Sequence, residues 1–258
     1  MYKNIMFEKR SNGVAWLTLN RPERLNAFTE EMHMEMLQAL KETSRDGNTR
    51  CLVITGEGRA FCAGEDIQRL GEETDHGEIL RKRYNPLISA IANLEKPVIA
   101  AVNGICAGSG FSLALICDFM LVSEKASFVS SFMNIGLVPD SGLLYLLPRV
   151  VGRAKAMEIA VLGEKISAME ARSLGIAGRL ISEDYWKSEI EEFSARLALM
   201  PTLAIGLVKR YMNESFSVTL DEMLSKEASA QRIAGLSKDH REGVAAFFEK
   251  RKPHFQGR

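Results

Sequence analysis

Apolar and polar positions alternate near the start of the chain and give way to longer apolar runs further on. Ile5 and Phe7, then Val14, Trp16, Leu17 and Leu19, flank Asn12-Gly13, so residues 4–10 and 13–20 predict a β-hairpin. Thr29 before Glu30 and Glu31 reads as the N-cap and acidic first turn of a helix running to about Arg45. Residues 50–55, 98–102 and 119–122 have the length and β-branched content of buried strands. Residues 76–94 read as a helix interrupted near Pro86, and 109–116 as a short helix. Strand, turn and helix therefore recur from Val14, Cys51 and Val98, which predicts a stacked or spiral α/β arrangement.

After Gly152 the pattern turns helical. Ser167 and Glu170 have capping-box spacing, and residues 184–199, 202–212, 219–234 and 238–250 carry helical periodicity, with Pro201 separating the first two. The expected organisation is an α/β body over residues 1–195 and a helical region over 196–258. That region has little core of its own and must pack on the body or on another subunit.

Composition narrows the function classes. The chain has 258 residues, 46% of them hydrophobic, and 33 Lys plus Arg balance 33 Asp plus Glu. Nothing global favours nucleic acid or an anionic membrane, so an anionic ligand must be held by local donors. Cys51, Cys62, Cys106 and Cys117 form no CxxC pair and read as reduced thiols; His33, His76, His240 and His254 lack metal-ligand spacing, so no metal is expected. Residues 97–123 are apolar enough to suggest a membrane span, but Asn103, Gly104, Gly108, Gly110 and Asp118 break the run where a buried α/β unit needs breaks. The first residues carry no apolar signal segment, and a cytoplasmic location is expected.

The candidate chemistry lies in two turns, Ala60-Phe61-Cys62-Ala63-Gly64-Glu65-Asp66-Ile67 and Asn103-Gly104-Ile105-Cys106-Ala107-Gly108-Ser109-Gly110. Each comes after a strand-like run. Small residues there leave amide N–H groups open to a ligand, and two such turns side by side could hold one oxygen between two donors.

These runs, together with Leu19 to Phe28, Lys96 to Gly104, Leu147-Pro148-Arg149-Val150-Val151-Gly152 and the tail from Asp239 to Lys252, resemble the enoyl-CoA hydratase/isomerase (crotonase) superfamily along nearly the whole chain. The resemblance implies a crotonase-like α/β spiral of ββα units whose C-terminal helical region forms trimers or pairs of trimers. It implies an acyl-CoA thioester substrate, with coenzyme A part of the substrate and no separate cofactor. By position, the oxyanion donors would be the N–H groups of Ala63 and Ser109, the latter standing where the family usually has Gly. The acyl-CoA would lie along Arg24, Leu25, Ala27, Glu65, Asp66, Ile67, Gly108, Phe132 and Leu137, with Lys250, from this or a neighbouring subunit, near the nucleotide phosphates. For Asp66 a helix cap, and for Arg24 a solvated turn, are the competing readings.

The acids around the turns decide between reactions. Where the resembled hydratases carry two glutamates, this chain has Ser112 and Phe132, neither an efficient base near neutral pH. Asp140, after Gly136-Leu137-Val138-Pro139, stands where the resembled isomerases carry an acid. On spacing alone it reads as a turn residue bonding its own backbone. The resemblance makes it a proton shuttle for moving a double bond from C3=C4 to C2=C3. Glu65, Glu72, Glu73 and Asp75 are alternative acids. The motif around Asp140 also resembles ring-opening epoxide and oxepin isomerases acting on CoA thioesters. A hydratase of unusual mechanism and a non-catalytic CoA-ester or RNA binder are the other classes, although no basic stripe supports RNA.

Overall fold

The computed structural model describes residues 2–69, 71 and 75–258. Among the described residues ten strands form two sheets: β1 (Ile5–Lys9), β2 (Val14–Leu19), β3 (Cys51–Gly56), β4 (Ala60–Cys62), β5 (Val98–Val102), β6 (Ile105–Ala107), β7 (Phe119–Ser123), β8 (Ser127–Val129), β9 (Ile166–Ser167) and β10 (Arg179–Ile181). The larger sheet runs β1-β2-β3-β5-β7-β10 and the smaller β4-β6-β8-β9. β1–β2 and β8–β9 pair antiparallel, and the other strand pairs of the described residues are parallel. Three times the chain places one strand in the large sheet and the next in the small one, in the pairs β3–β4, β5–β6 and β7–β8. This repeat is the expected spiral of α/β units.

The hairpin, the helix α1 (Glu30–Arg45) and the strands β3, β5 and β7 form where the sequence predicts them. Thr29 Oγ1 accepts the Met32 N–H at 3.2 Å, as an N-cap should. The apolar runs are continuous because both faces of the large sheet are covered. Leu52 and Ile54 of β3 and Val98, Ala100 and Val102 of β5 face the main core, while Cys51, Val53, Ile99 and Ala101 face a second core. Four free cysteines are present, three of them buried.

The short strands β4, β6 and β8 were not anticipated, because three residues rich in small side chains carry no readable period. The segment after residue 75 also differs in detail. α2 (His76–Ile79) continues through a π-helical turn, Leu80–Tyr84, into α3 (Asn85–Ala92) rather than breaking at Pro86. The Asn85 N–H donates to the Leu80 carbonyl, and the wider turn absorbs the missing N–H of Pro86. Next come α4 (Ser109–Ile116), α5 (Leu143–Val151), α6 (Arg153–Leu162) and α7 (Ala168–Ser173). Ser167 caps α7 through the Glu170 N–H at 3.2 Å.

The C-terminal helices are α8 (Trp186–Ala198), α9 (Thr202–Glu214), α10 (Leu220–Gly235) and α11 (Lys238–Glu249). Residue 195, where the body was expected to end, lies inside α8, whose Ile190, Phe193 and Leu197 close the second core. α9 is tied to the body by Lys209 Nζ on Asp118 Oδ2 at 2.9 Å, and Asp118 also accepts the Val98 N–H. α10 buries no residue. Among the described residues, no helix is long and apolar enough to cross a membrane.

Candidate active site

Parallel pairing of β4 with β6 brings the two small-residue turns together. Gly64 lies just after β4 with φ +95°, and a side chain there would stand 3.2 Å from the Ala107 carbonyl and 3.5 Å from the Ser109 nitrogen. Gly108, with φ +53° and ψ −130°, sits immediately before α4. Both conformations suit glycine, and together they let the turns touch. Ser109 itself is not among the positive-φ residues, so the serine enters α4 without backbone strain.

The pattern of committed amides corrects one expectation. The Ala63 N–H donates to the Leu25 carbonyl at 3.0 Å and is not a free donor. Two residues on, Glu65 forms a parallel bridge with Phe28: the Phe28 N–H donates to the Gly64 carbonyl at 2.7 Å and the Asp66 N–H to the Phe28 carbonyl at 3.0 Å. In such a bridge the flanking residues supply the bonds, so the N–H of Glu65 points to the opposite side. Among the described residues it meets no acceptor. The Ser109 N–H is the first amide of α4 and is one of the donors a helix leaves unpaired at its N-terminus. Glu65 in the first turn and Ser109 in the second therefore each present a free amide.

These turns form one wall of a cavity of about 400 Å³. Ala63, Glu65, Ile67, Gly108, Ser109, Phe132, Leu137 and Asp140 all line it, so eight of the residues singled out in the sequence converge. Arg24, Leu25, Ala27, Asp66 and Lys250 are not in its lining. Arg24 is exposed and donates to Gln68 Oε1 at 2.9 Å. Leu25 has a left-handed backbone and supplies the carbonyl that occupies Ala63. The carbonyl of buried Ala27 accepts from Arg21 Nη1 at 2.6 Å, and Arg21 Nη2 pairs with buried Asp66 at 2.7 Å. Lys250 is the exposed, left-handed C-cap of α11.

Among the described residues two carboxylates line the cavity, in opposite states. Glu65 accepts from Arg83 Nη2 at 2.9 Å and from the Tyr84 hydroxyl in a short contact. Asp140 has one buried oxygen, Oδ1, with no hydrogen-bond partner. Burial pushes the Asp140 carboxyl above its ordinary range; the Ser141 side chain opposes this and the nearby charge of Glu65 adds to it. Its backbone is held from the position where the resembled hydratases carry a glutamate: the Ser112 hydroxyl donates to the Asp140 carbonyl at 2.9 Å. Ser112 is fully buried, and Phe132 forms apolar wall. Asp75 caps α2 through the Glu78 N–H, while Glu72 and Glu73 lie outside the described residues.

Sequence reasoning missed Tyr84, His76, Ser131, Ile135 and Val138, all in the lining. Tyr84 reaches the cavity through the π-helical turn, a feature no residue pattern announced; burial and the Glu65 charge hold its hydroxyl well above the usual phenol range, so it remains a neutral donor. Among the described residues no group of His, Cys, Asp and Glu is arranged to hold a metal.

The enoyl-CoA hydratase/isomerase family model matches residues 9–258. A 1,2-epoxyphenylacetyl-CoA isomerase of Escherichia coli (strain K12) is 45% identical, covering 95% of this chain and 96% of its own. A Rhodobacter capsulatus protein named “Probable enoyl-CoA hydratase” is 42% identical over 100% and 99% of the two chains. Among solved structures, an enoyl-CoA hydratase from Polaromonas sp. JS666 superposes with a TM-score of 0.91 at 35% identity, over 97% of this chain and 99% of that one.

Proposed function

This chain belongs to the enoyl-CoA hydratase/isomerase family, and we propose that within it the enzyme isomerises an unsaturated acyl-CoA thioester, moving a double bond from C3=C4 to C2=C3. The observation that carries the reading is the unpartnered, buried Asp140 oxygen in a cavity whose other described carboxylate, Glu65, is already occupied. Asp140 takes the proton from C2. The electron pair of that C–H bond moves towards the thioester oxygen, giving a dienolate that receives the N–H groups of Glu65 and Ser109. The same proton then returns from Asp140 to C4, and no other reactant is consumed.

Three features support this over water addition. Ser112 and Phe132 leave the usual pair of carboxylates absent, and Phe132 makes part of the cavity wall apolar, which disfavours a held water. Desolvation of Asp140 strengthens it as a base towards a carbon acid. A second reading comes from the 45% identical relative: an aryl epoxide thioester, isomerised with the same acid and donors.

Single-turnover reactions of 3-hexenoyl-CoA and 2-hexenoyl-CoA test this, with the conjugated thioester monitored by absorbance and the water adduct by mass. Wild type converts the 3-enoyl thioester with little water addition, and Asp140→Asn loses about 10²–10⁴ in rate, the range for a general base. The acid limb of the wild-type rate lies above the ordinary carboxylate range. Rapid hydration of 2-hexenoyl-CoA with 3-hexenoyl-CoA untouched overturns the proposal. Conversion of 1,2-epoxyphenylacetyl-CoA alone establishes the second reading instead.

A further inference from the structure

We propose that Tyr84 is a positioning residue that clasps the two turns of the oxyanion site together, through the side chains of two residues, Glu65 and Ser109, whose backbone amides are free. The proposal rests on the reading of Glu65 and Ser109 as the oxyanion donors. The Tyr84 hydroxyl donates to Glu65 Oε2 on one turn and accepts from Ser109 Oγ at 3.3 Å on the other. One phenol therefore spans the gap between the residues that must hold one oxygen.

The backbone alone leaves that gap loosely specified. The ladder joining β4 to β6 is irregular where it approaches the site: Ala60 pairs with Ile105, and Cys62, two residues on, pairs with Cys106, only one residue on. A bulge of this kind ends regular pairing and re-aims the residues beyond it. Past Cys62 no backbone hydrogen bond between described residues joins the turn at 63–65 to the turn at 108–109. The side-chain bridge supplies the missing constraint.

Tyr84 is itself well anchored. Its ring meets Phe28 edge-on at 5.8 Å and His33 at 4.2 Å between centroids, and it is almost fully buried. The other side of the Glu65 carboxylate is pinned by Arg83, the preceding residue. The π-helical turn ends at Tyr84, so this departure from α-helix supplies the two adjacent side chains that fix Glu65. A donor shifted by a fraction of an ångström still binds a ground-state carbonyl but stabilises the developing oxyanion less.

The probe is phenylacetyl-CoA carrying ¹³C at the thioester carbonyl. Its carbonyl stretch is read by difference infrared spectroscopy on the bound complex, and its C2–H exchange in D₂O gives a rate and a KM. Wild type lowers the stretch on binding. Tyr84→Phe and Ser109→Ala, which each remove one link and keep both amides, lower it less. Their exchange rates fall about tenfold, below the 10²–10³ typical of deleting a donor outright, with KM changed less than about twofold. Ser109→Ala removes a single hydroxyl, so the test stands even if Tyr84→Phe folds poorly. A wild-type stretch that does not move on binding overturns the oxyanion reading and the clasp with it. A stretch that moves equally in all three proteins overturns the clasp alone. A raised KM in Tyr84→Phe with Ser109→Ala unchanged also overturns it, since that pattern belongs to a tyrosine bonding the substrate directly.

Discussion

Lowering the pH from 7 to 5 should destabilise the protein through a single histidine beneath the site. His33 is 1% exposed, packs against Phe28 and Tyr84, and places Nδ1 at 2.8 Å from the Thr29 carbonyl. Nδ1 must therefore carry the proton, which leaves Nε2 as a buried lone pair with no partner. Burial is the main cause that lowers the ring from 6.5 to about 4, with the charge of Arg83 adding to it. As pH falls through 6.5 the unfolded chain takes up a proton that the folded chain still refuses at pH 5. The stabilising contribution is complete above the unfolded value and is lost as pH falls towards the folded one. With those two values, linkage gives a loss of about 2 kcal/mol between pH 7 and pH 5. His33→Asn, whose side-chain amide can replace the Nδ1 donor but does not titrate, lacks this contribution. Urea unfolding of both proteins at pH 7 and pH 5, at one protein concentration, isolates it as the difference of differences. If wild type and His33→Asn lose the same stability, the reasoning is refuted, because other titrating groups contribute equally to both.

Two further substitutions probe the scaffold of the site. Gly64→Ala forces a side chain into a φ of +95° and towards the Ser109 amide, so it should cost about 1–3 kcal/mol in stability. It should also lower C2 exchange of phenylacetyl-CoA by about 10²–10³, as loss of a donor does; near-wild-type exchange would show that the turns need not approach so closely. Asp66→Asn removes the charge facing Arg21 where each side chain is 9% exposed, leaving a buried cation, and should cost about 3 kcal/mol in urea unfolding. A loss below about 1 kcal/mol would mean that Arg21 is solvated as a surface pair would be.

Much of the fold was legible because burial on both sheet faces leaves unbroken apolar runs at β3 and β5, and because Thr29 announces α1 by chemistry local to its own turn. The pairing of amides was not. Ala63 and Glu65 are both small-turn positions by sequence, and which one stays free is decided by a carbonyl far upstream, that of Leu25. Spacing cannot report such a partner, since an extended segment turns alternate amides to opposite sides. Tyr84 was hidden for a related reason: a π-helical turn shifts the register that helical periodicity assumes. Asp140 could be found by position, but only packing leaves its Oδ1 unpaired while Ser112 holds its backbone.

The two cavity carboxylates differ because their neighbours do. Glu65 meets a guanidinium and a phenol, so both of its oxygens are occupied. Asp140 is desolvated by burial and lies in the field of Glu65, which together outweigh the opposing Ser141 and His76 and favour its neutral form, so it has reason to accept a proton. With Asp140 as the proton shuttle, the arrangement separates two tasks that a pair of free carboxylates would share. Glu65 serves geometry, through Tyr84 and its own amide, and Asp140 serves proton transfer. Glu65 also raises the basicity of Asp140 without competing for the substrate proton, because Arg83 and Tyr84 already occupy its oxygens. The positions where the resembled hydratases carry their acids here hold Asp140 in place, through Ser112, and form apolar wall, through Phe132.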